Sequence, residues 1–290
     1  MTERMLPEED HGNLYVASSF GIFAATLERA AAHFGWKLEV QRCEELEVSE
    51  LHRAGPRVRL GQARIVGAMP PEPHAPLFEA RRTSRLPYHD RPIAPEALAS
   101  FQKTVEAAGQ RLLHYDAPDV VQPLLLLNAQ AIIDNLQLER EREEIRGWYR
   151  LGRTPEYGDG LFRAPMNQPA WELWAAFAMP SLFRREPFKS FAIRRYLATQ
   201  RGTRHVALLC GRFREWPDLF VAGRMLFELW LELARFDVYM QPMGSMLTNP
   251  AYSAEIARRF GRDDCWLVLR LGYSEPPPRA PRLENILLDA

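Results

Sequence analysis

Two stretches of this chain are so apolar that each must form a buried helix. Residues 14–34 are rich in alanine and phenylalanine and apolar around nearly the whole circumference of a helix, and Gly35 suits a C-terminal cap. Residues 217–236 form a second apolar helix, with Pro217 in its first turn. Because both helices need a core on several sides, they constrain the fold more than any other feature.

A faint internal repeat links these two helices. Residues 14–18 (LYVAS) resemble residues 219–223 (LFVAG) about 205 positions later, and a short strand follows each helix. Matches of this length also arise by chance. A true repeat would make the chain a fused pseudo-dimer with the two helices packed across a pseudo-two-fold axis. In that arrangement four large side chains would be buried near the helix crossing: Phe20, Phe23, Leu226 and Trp230.

The remaining pattern mixes helices and strands. Apolar runs predict strands at residues 36–40, 62–69, 205–210, 238–241 and 265–271. Helices are predicted at residues 95–109, 124–146 and 250–260. The proline-rich residues 70–76 indicate a linker, and residues 146–180, rich in tryptophan, glycine and proline, indicate an irregular lid or loop. The chain is therefore predicted to be α+β.

Composition excludes several classes of protein. Lys+Arg and Asp+Glu each total 37, and the resulting net charge of zero gives no general attraction for nucleic acid. The cysteines, Cys43, Cys210 and Cys265, lie too far apart for a zinc site or a disulfide framework, which predicts reduced thiols and no metal. No apolar run is long enough to span a membrane, and residues 1–10 are acidic and lack a signal-peptide core. We therefore expect a cytoplasmic protein.

The strongest local motif is residues 81–85 (RRTSR). Three guanidinium groups and two hydroxyls in five residues suit an anion such as a phosphate, although an exposed basic turn has the same composition. Residues 241–244 (QPMG) follow the second buried helix and end in a glycine, where a backbone can approach a flat ligand. Residues 270–273 (RLGY) close the last strand, and residues 278–282 (PRAPR) follow.

The order and spacing of these segments resemble the nitroreductase family of flavoproteins, over about residues 76–290. The first part of the chain resembles the fused, single-chain (Acg-type) branch of that family, with a shortened N-terminus. The resemblance implies an α+β, nitroreductase-like fold, in which an antiparallel-rich sheet is flanked by helices and the chain forms an internal pseudo-dimer. Residues 1–75 would be a degenerate first half, and residues 76–290 a second half that carries the flavin motifs.

The same resemblance implies an FMN site. Arg82 and Arg85 would lie near the ribityl chain and the N1/O2 side of the flavin, where a fixed cation stabilises the charge of the reduced ring. Met243 and Gly244 would lie near N5. Arg282 and Arg279 would hold the 5′-phosphate. The residues expected to hold FMN are Arg81, Arg82, Thr83, Arg85, Met243, Gly244, Arg279 and Arg282.

The implied function is FMN-dependent oxidoreduction with NAD(P)H as donor. Hydride would pass through flavin N5 by a ping-pong route to a nitroaromatic, quinone or enone, and no catalytic side chain is assigned because such sites often use none. The implied partner is a small-molecule electron acceptor, and binding to nucleic acid or to a membrane is not expected. The implied assembly is a monomeric pseudo-dimer or a homodimer. The alternatives are an FMN-binding protein that does not turn over and a degenerate scaffold without flavin.

One family segment is missing from its usual place. Nitroreductases carry a serine-rich segment ending in Asn-x-Gln-Pro-Trp, which cradles the flavin ring and in the fused branch precedes the first central helix. About thirteen residues precede that helix here, and none resembles the segment. Residues 166–171 (MNQPAW) contain similar letters at a different position, and we interpret that likeness as chance.

Overall fold

A computed structural model describes residues 5–53, 55, 57–72, 75–150 and 160–280. The helices are α1 (Leu14–His33), α2 (Ala75–Ala80), α3 (Pro95–Glu106), α4 (Pro118–Asn135), α5 (Glu139–Trp148), α6 (Arg163–Met166), α7 (Ala170–Ala178), α8 (Phe188–Thr199), α9 (Trp216–Arg235), α10 (Ser245–Thr248) and α11 (Pro250–Phe260). The strands are β1 (Trp36–Arg42), β2 (Gly61–Ala68), β3 (Arg111–Tyr115), β4 (Tyr149–Arg150), β5 (Leu161–Phe162), β6 (His205–Cys210), β7 (Tyr239–Pro242) and β8 (Cys265–Gly272). Short 3₁₀ turns span Val48–Arg53 and Pro180–Arg184. Within this part of the chain, no helix is both long and apolar enough to cross a bilayer.

A four-stranded antiparallel sheet forms the centre of the fold, with strand order β3-β6-β8-β7. Alternate residues of its central strands face opposite sides, as the pleat requires. Leu209 and Leu269 pack in one core with α1, α3 and α9, whereas Leu208 and Val268 pack in a second core with α4, α10 and α11. Helices therefore cover both faces. The predicted class, α+β with an antiparallel sheet flanked by helices, is confirmed.

The predicted segments with strong apolar patterns form the expected elements. The helices predicted at residues 14–34, 95–109, 217–236 and 250–260 are α1, α3, α9 and α11. The five predicted strands are β1, β2, β6, β7 and β8. Local signals set several of the bounds: Pro95 and Pro250 lie in the first turns of their helices, and Gly261 ends α11 in a left-handed conformation (φ 63°).

Two sequence predictions are wrong in detail, and some elements were not predicted. The single helix predicted at residues 124–146 is two helices, because Leu138 takes an extended conformation (φ −82°, ψ 113°) between α4 and α5. The proline-rich linker predicted at residues 70–76 ends sooner, since α2 begins at Ala75. Strand β3 and helix α8 were not predicted; α8 contains no fully buried residue, so its sequence lacks a clear apolar face.

Helices α1 and α9 cross in direct backbone contact. Gly21 of α1 lies against the Phe220 carbonyl of α9, and Gly223 of α9 lies against the Ser18 carbonyl of α1. A Cβ on either glycine would overlap with that oxygen, so the position requires glycine. The two apolar helices therefore pack together, as expected. The pseudo-two-fold symmetry and the division into residues 1–75 and 76–290 stay predictions.

The large side chains predicted at this crossing are less buried than expected. Phe23 is 56% exposed, and Phe20, Leu226 and Trp230 are half-buried. The burial predicted for Phe23 is wrong because the two backbones touch, which leaves room between them for small residues alone. Aromatic rings are displaced to the side of the contact, where Phe20 packs against Trp216 with ring centres 5.8 Å apart.

Replacing Gly223 with alanine is expected to lower the free energy of unfolding by about 1–3 kcal/mol, because the new Cβ forces α1 and α9 apart. The matched control is Gly147→Ala in α5. Gly147 is exposed and has open space where a Cβ would lie, so alanine should stabilise the helix by about 0.5–1 kcal/mol. Urea denaturation measures both changes. Equal stability of Gly223→Ala and wild type would contradict the backbone contact.

Two histidines link β3 and β6 through a chain of hydrogen bonds. His205 Nε2 accepts from the Ile93 N–H at 2.9 Å, and its Nδ1 lies 2.8 Å from His114 Nε2. Because Nε2 is an acceptor, neutral His205 carries its proton on Nδ1 and donates it to His114. Burial, together with the neighbouring His114, lowers the pKa of His205 to about 4. Burial also lowers the pKa of His114.

Stability is therefore expected to fall as the pH falls from about 6.5 towards 4. In this window an unfolded histidine binds a proton that folded His205 does not, so acid favours the unfolded chain. Between pH 7 and pH 5 the loss in free energy of unfolding from this group should be about 1–2 kcal/mol. His205→Gln keeps an acceptor for the Ile93 N–H and removes the titrating group, so its stability should depend less on pH. Identical pH profiles for both proteins would count against this assignment.

Candidate functional site

Three separate parts of the chain meet around a cavity of about 410 Å³, called here the Arg85 cavity. Arg85 of the arginine motif, residues 241–245 from the end of β7 to the start of α10, and residues from the segment 161–173 all line it. Its volume lies within the range of about 300–1,000 Å³ that is usual for ligand pockets. Much of the lining is aliphatic or aromatic, including Ile132, Ile133, Leu136, Trp171, Phe177 and Phe183.

Hydrogen bonds fix Arg85 from both sides. The Ser84 N–H donates to the Met240 carbonyl of β7 at 3.1 Å, which attaches the arginine motif to the sheet. The Arg85 guanidinium donates through Nη1 to the Pro165 carbonyl at 3.3 Å. Asn167 Nδ2 donates to the Arg85 carbonyl at 2.9 Å. The motif and the segment 161–173 therefore hold each other at the cavity.

Arg85 is a half-buried cation whose neighbours do not cancel its charge. Burial lowers the pKa of its guanidinium, and the titratable groups that act on it are the hydroxyls of Tyr149, Tyr196 and Tyr88. An arginine in a protein stays protonated all the same. Within the described part of the chain, no carboxylate contributes to its electrostatic environment at ion-pair distance. A cation of this kind stabilises an anionic group placed beside it.

Met243 and Gly244 connect β7 to α10 at the edge of the cavity. The Met243 N–H donates to the Val268 carbonyl of β8 at 2.8 Å, which fixes the turn to the sheet. Gly244 caps α10, and a Cβ built on Gly244 would meet no atom within 4 Å. The backbone at Gly244 is therefore bare beside open space, where a flat group can approach it closely.

A fully buried arginine fixes the side chain of Gln241 in β7. Arg270 of β8 is 0% exposed and donates to Gln241 Oε1 at 2.8 Å. It also donates to Thr203 Oγ1 at 2.6 Å and to the Leu86 carbonyl at 2.9 Å. Its guanidinium carbon lies 3.6 Å from the centre of the Tyr88 ring. All four partners are neutral, so the hydrogen bonds of Arg270 are satisfied while its charge remains.

The first residues of the arginine motif lie outside the lining of the Arg85 cavity. The Arg81 guanidinium lies 4.6 Å from the centre of the Trp230 ring, in a cation–π contact. Arg82 donates through Nη1 to the Pro277 carbonyl at 2.9 Å. Thr83 forms an isolated parallel bridge with β7. The structure therefore brings Arg85, but not Arg81, Arg82 or Thr83, to the cavity formed with residues 241–245.

The predicted phosphate arginines lie near the end of the chain. Arg279 forms an exposed ion pair with Glu79, and Arg282 lies outside the described residues. An exposed ion pair contributes about 0–1 kcal/mol, so Arg279 can exchange Glu79 for another anion at little cost. The roles of both arginines in holding a phosphate stay predictions.

One wall of the cavity comes from the segment predicted as a lid. This segment is partly regular, since it contains β5, α6 and α7, and residues 151–159 lie outside the described residues. Met166, Asn167 and Trp171 all line the cavity, so the sequence MNQPAW lies beside Arg85. The likeness of residues 166–171 to the segment that is missing upstream was the sequence signal that could have located this wall.

Two buried amides in the lining were not predicted. Asn128 of α4 is 1% exposed and Gln200 is 3% exposed, and both border the cavity. Asn128 Nδ2 donates to the Tyr196 hydroxyl at 2.7 Å. Among the described residues, Asn128 Oδ1 and Gln200 Oε1 have no hydrogen-bond partner. No local pattern marks a single Asn or Gln as part of a site, because its role arises from tertiary contacts.

A second cleft, of about 1200 Å³, contains none of the predicted site residues. It is bordered by Tyr15, Arg111, Asp264 and Cys265, among others, and Arg111 forms an ion pair with Asp264 there. Across the ranges that the structure describes, no group of three or more His, Cys, Asp or Glu side chains is arranged to hold a metal ion. The Arg85 cavity is therefore the candidate functional site.

The sequence matches no family model and none of the curated proteins. Similar solved structures are nitroreductases. The FMN- and NADPH-dependent nitroreductase NfnB from Sphigopyxis sp. strain HMH is 18% identical, with 73% of this chain and 95% of that chain covered and a TM-score of 0.41. NfnB from Mycobacterium smegmatis, in complex with NADPH, is 16% identical over 73% and 94% of the two chains, with a TM-score of 0.41. A nitroreductase with bound FMN from Bacteroides fragilis is 9% identical over 74% and 96%, with a TM-score of 0.41. These proteins carry the name of the family that the sequence motifs resemble.

Proposed function

We propose that this chain is an FMN-dependent oxidoreductase of the nitroreductase type. Its electron donor is NAD(P)H, and its electron acceptor is a nitroaromatic, a quinone or an enone. The donor and the acceptor use the same cavity one after the other, by a ping-pong route. When bound, FMN supplies the two-electron chemistry. The observation that supports the proposal most is the meeting of Arg85 and Gly244 at one cavity, from two motifs about 160 residues apart in sequence.

The residues of the Arg85 cavity fit a flat ring that gains negative charge. The open space beside Gly244 leaves room for a ring along the backbone. The aliphatic and aromatic lining suits the faces of an isoalloxazine. Arg85 suits the N1/O2 edge, because reduction places negative charge at that edge and no carboxylate among the described residues pairs with the Arg85 guanidinium. Met243 and Gly244 would then lie along the ring.

The phosphate and ribityl chain are proposed to extend towards the arginine motif. Arg82 donates to a backbone carbonyl, and Arg279 pairs with an exposed carboxylate. A phosphate can replace either partner, because guanidinium groups form strong charge-assisted hydrogen bonds with it. The residues proposed for this end of FMN are Arg81, Arg82, Thr83, Arg279 and Arg282.

The segment 161–173 is proposed to keep water from the reacting end of the cavity. It lines the cavity and is held to Arg85 through Pro165 and Asn167. Exclusion of water strengthens the electrostatic effect of Arg85 on a bound anion. We also propose that the chain acts in the cytoplasm as a monomeric pseudo-dimer or a homodimer, with residues 1–75 as its degenerate first half.

The purified protein is expected to be yellow, with the visible absorption bands of oxidised FMN, and to lose this colour when NADPH or NADH is added without oxygen. A nitroaromatic or a quinone should restore the colour. Absorption spectroscopy follows each change. A protein that holds FMN but does not bleach would favour the alternative of an FMN-binding protein without turnover. A protein that stays colourless with excess FMN would contradict the proposal.

Arg85→Gln is expected to weaken FMN binding by about 1.5–3 kcal/mol, since it removes a charge-assisted contact to the ring. Glutamine keeps a donor for the Pro165 carbonyl, so the fold of the wall should be retained. The control is Arg140→Gln, because the Arg140 side chain on α5 is 83% exposed and does not line the cavity. Fluorescence titration with FMN compares the two variants. The proposal for Arg85 fails should both bind FMN equally well.

A further inference from the structure

Two guanidinium groups lie near the Arg85 cavity without an acidic partner among the residues that the structure describes. Arg85 lines the cavity, and Arg270 is buried behind it with neutral hydrogen-bond partners. Arg270 donates to the carbonyl of Leu86, the residue that follows Arg85, and to Gln241 in the cavity lining, so both arginines lie beside the same part of the cavity. Burying like charges without a counter-ion is costly, and a negative charge between or beside them relieves that cost.

The other charges in the lining do not cancel this pair. Glu172 forms an ion pair with Arg195 at 2.6 Å, so these two side chains neutralise each other. Burial and the nearby Glu144 raise the pKa of Glu9. Arg142 forms an ion pair with Glu143 at 3.9 Å. Among the described residues at the cavity, Arg85 and Arg270 are therefore guanidinium groups that no carboxylate pairs.

Gln241 connects the buried charge to the cavity. Its Oε1 accepts from Arg270 at 2.8 Å, and Gln241 itself is one of the lining residues. One side chain, that of Gln241, therefore separates Arg270 from a ligand that contacts Gln241 in the cavity. In a water-poor interior, a charge at that distance acts far more strongly than the same charge at the surface.

We propose that the Arg85 cavity selects planar ligands that carry a negative charge, such as aromatic carboxylates, and that Arg270, acting through Gln241, is a positioning residue for this selection. The inference names the substrate class of the proposed oxidoreductase and rests on the proposed function for the reaction. The binding preference itself is independent of flavin chemistry and is measured separately.

The first experiment compares para-nitrobenzoate with para-nitrobenzamide, which differ in charge and hardly in shape. Wild-type protein is expected to bind the benzoate at least about tenfold more tightly, measured by isothermal titration calorimetry. The preference should persist between about 0.05 M and about 0.5 M salt, because buried charges are poorly screened. Equal affinity for the two compounds, or a preference lost at the higher salt concentration, overturns the proposal.

The second experiment tests the route through Gln241. In Gln241→Glu the new carboxylate pairs with Arg270 and cancels its charge, so the ratio of the two affinities should fall about tenfold. The matched control is Gln62→Glu on β2, an exposed position outside the cavity, which should keep the wild-type ratio. A ratio unchanged in Gln241→Glu overturns the role of Arg270, since a folding defect would weaken both ligands alike.

Two further results separate this inference from the proposed function. Arg85→Gln should also lower the affinity ratio, and it serves as the test of the charged cavity should Gln241→Glu not fold. If Arg85→Gln keeps the wild-type ratio of the two affinities, the result contradicts the proposal that the cavity selects negatively charged ligands. Wild-type protein that prefers the benzoate but never binds FMN overturns the proposed function and leaves this inference standing.

Discussion

The contact between α1 and α9 at Gly21 and Gly223 is the constraint on which the rest of the structure depends. It fixes α9 against one face of the sheet, where Leu219 and Leu229 are fully buried. The far part of α9 then supports the arginine motif, since Trp230 donates to the Arg82 carbonyl at 3.4 Å and stacks on the neighbouring guanidinium. A contact between two backbones therefore determines where the candidate site can form.

The site itself depends on cations that the fold desolvates without neutralising. Arg270 satisfies its hydrogen bonds with a glutamine, a threonine and a carbonyl, and Arg85 with a carbonyl. Such partners keep the guanidinium groups in place but leave their charge available to a ligand. The remaining polar residues of the lining include Asn128 and Gln200. These neutral groups can fix the orientation of a ligand but add no charge.

Sequence reasoning succeeds where the physical signal is local. Residues 206–210 are apolar throughout because β6 faces a core on both sides, and the sequence predicts this strand correctly. Phe23 is equally apolar, yet it is exposed, because a backbone contact that no periodicity reveals excludes it. The motifs identified Arg85 and Gly244 because their signal is also local, since unusual residue types stand close together in sequence. Asn128 and Arg270 could not be assigned a role, since their partners lie far away in sequence.

Strand β8 serves two purposes on alternate residues. Leu269 faces the core with α9, and Arg270 on the opposite face holds Gln241 at the cavity. Because side chains alternate with a period of two, inserting or deleting one residue would exchange the two faces. The guanidinium would then enter an apolar core, and a leucine would lie behind the cavity. Evolution can therefore vary this strand by substitution much more freely than by length, and a change of length would abolish the core and the site in one event.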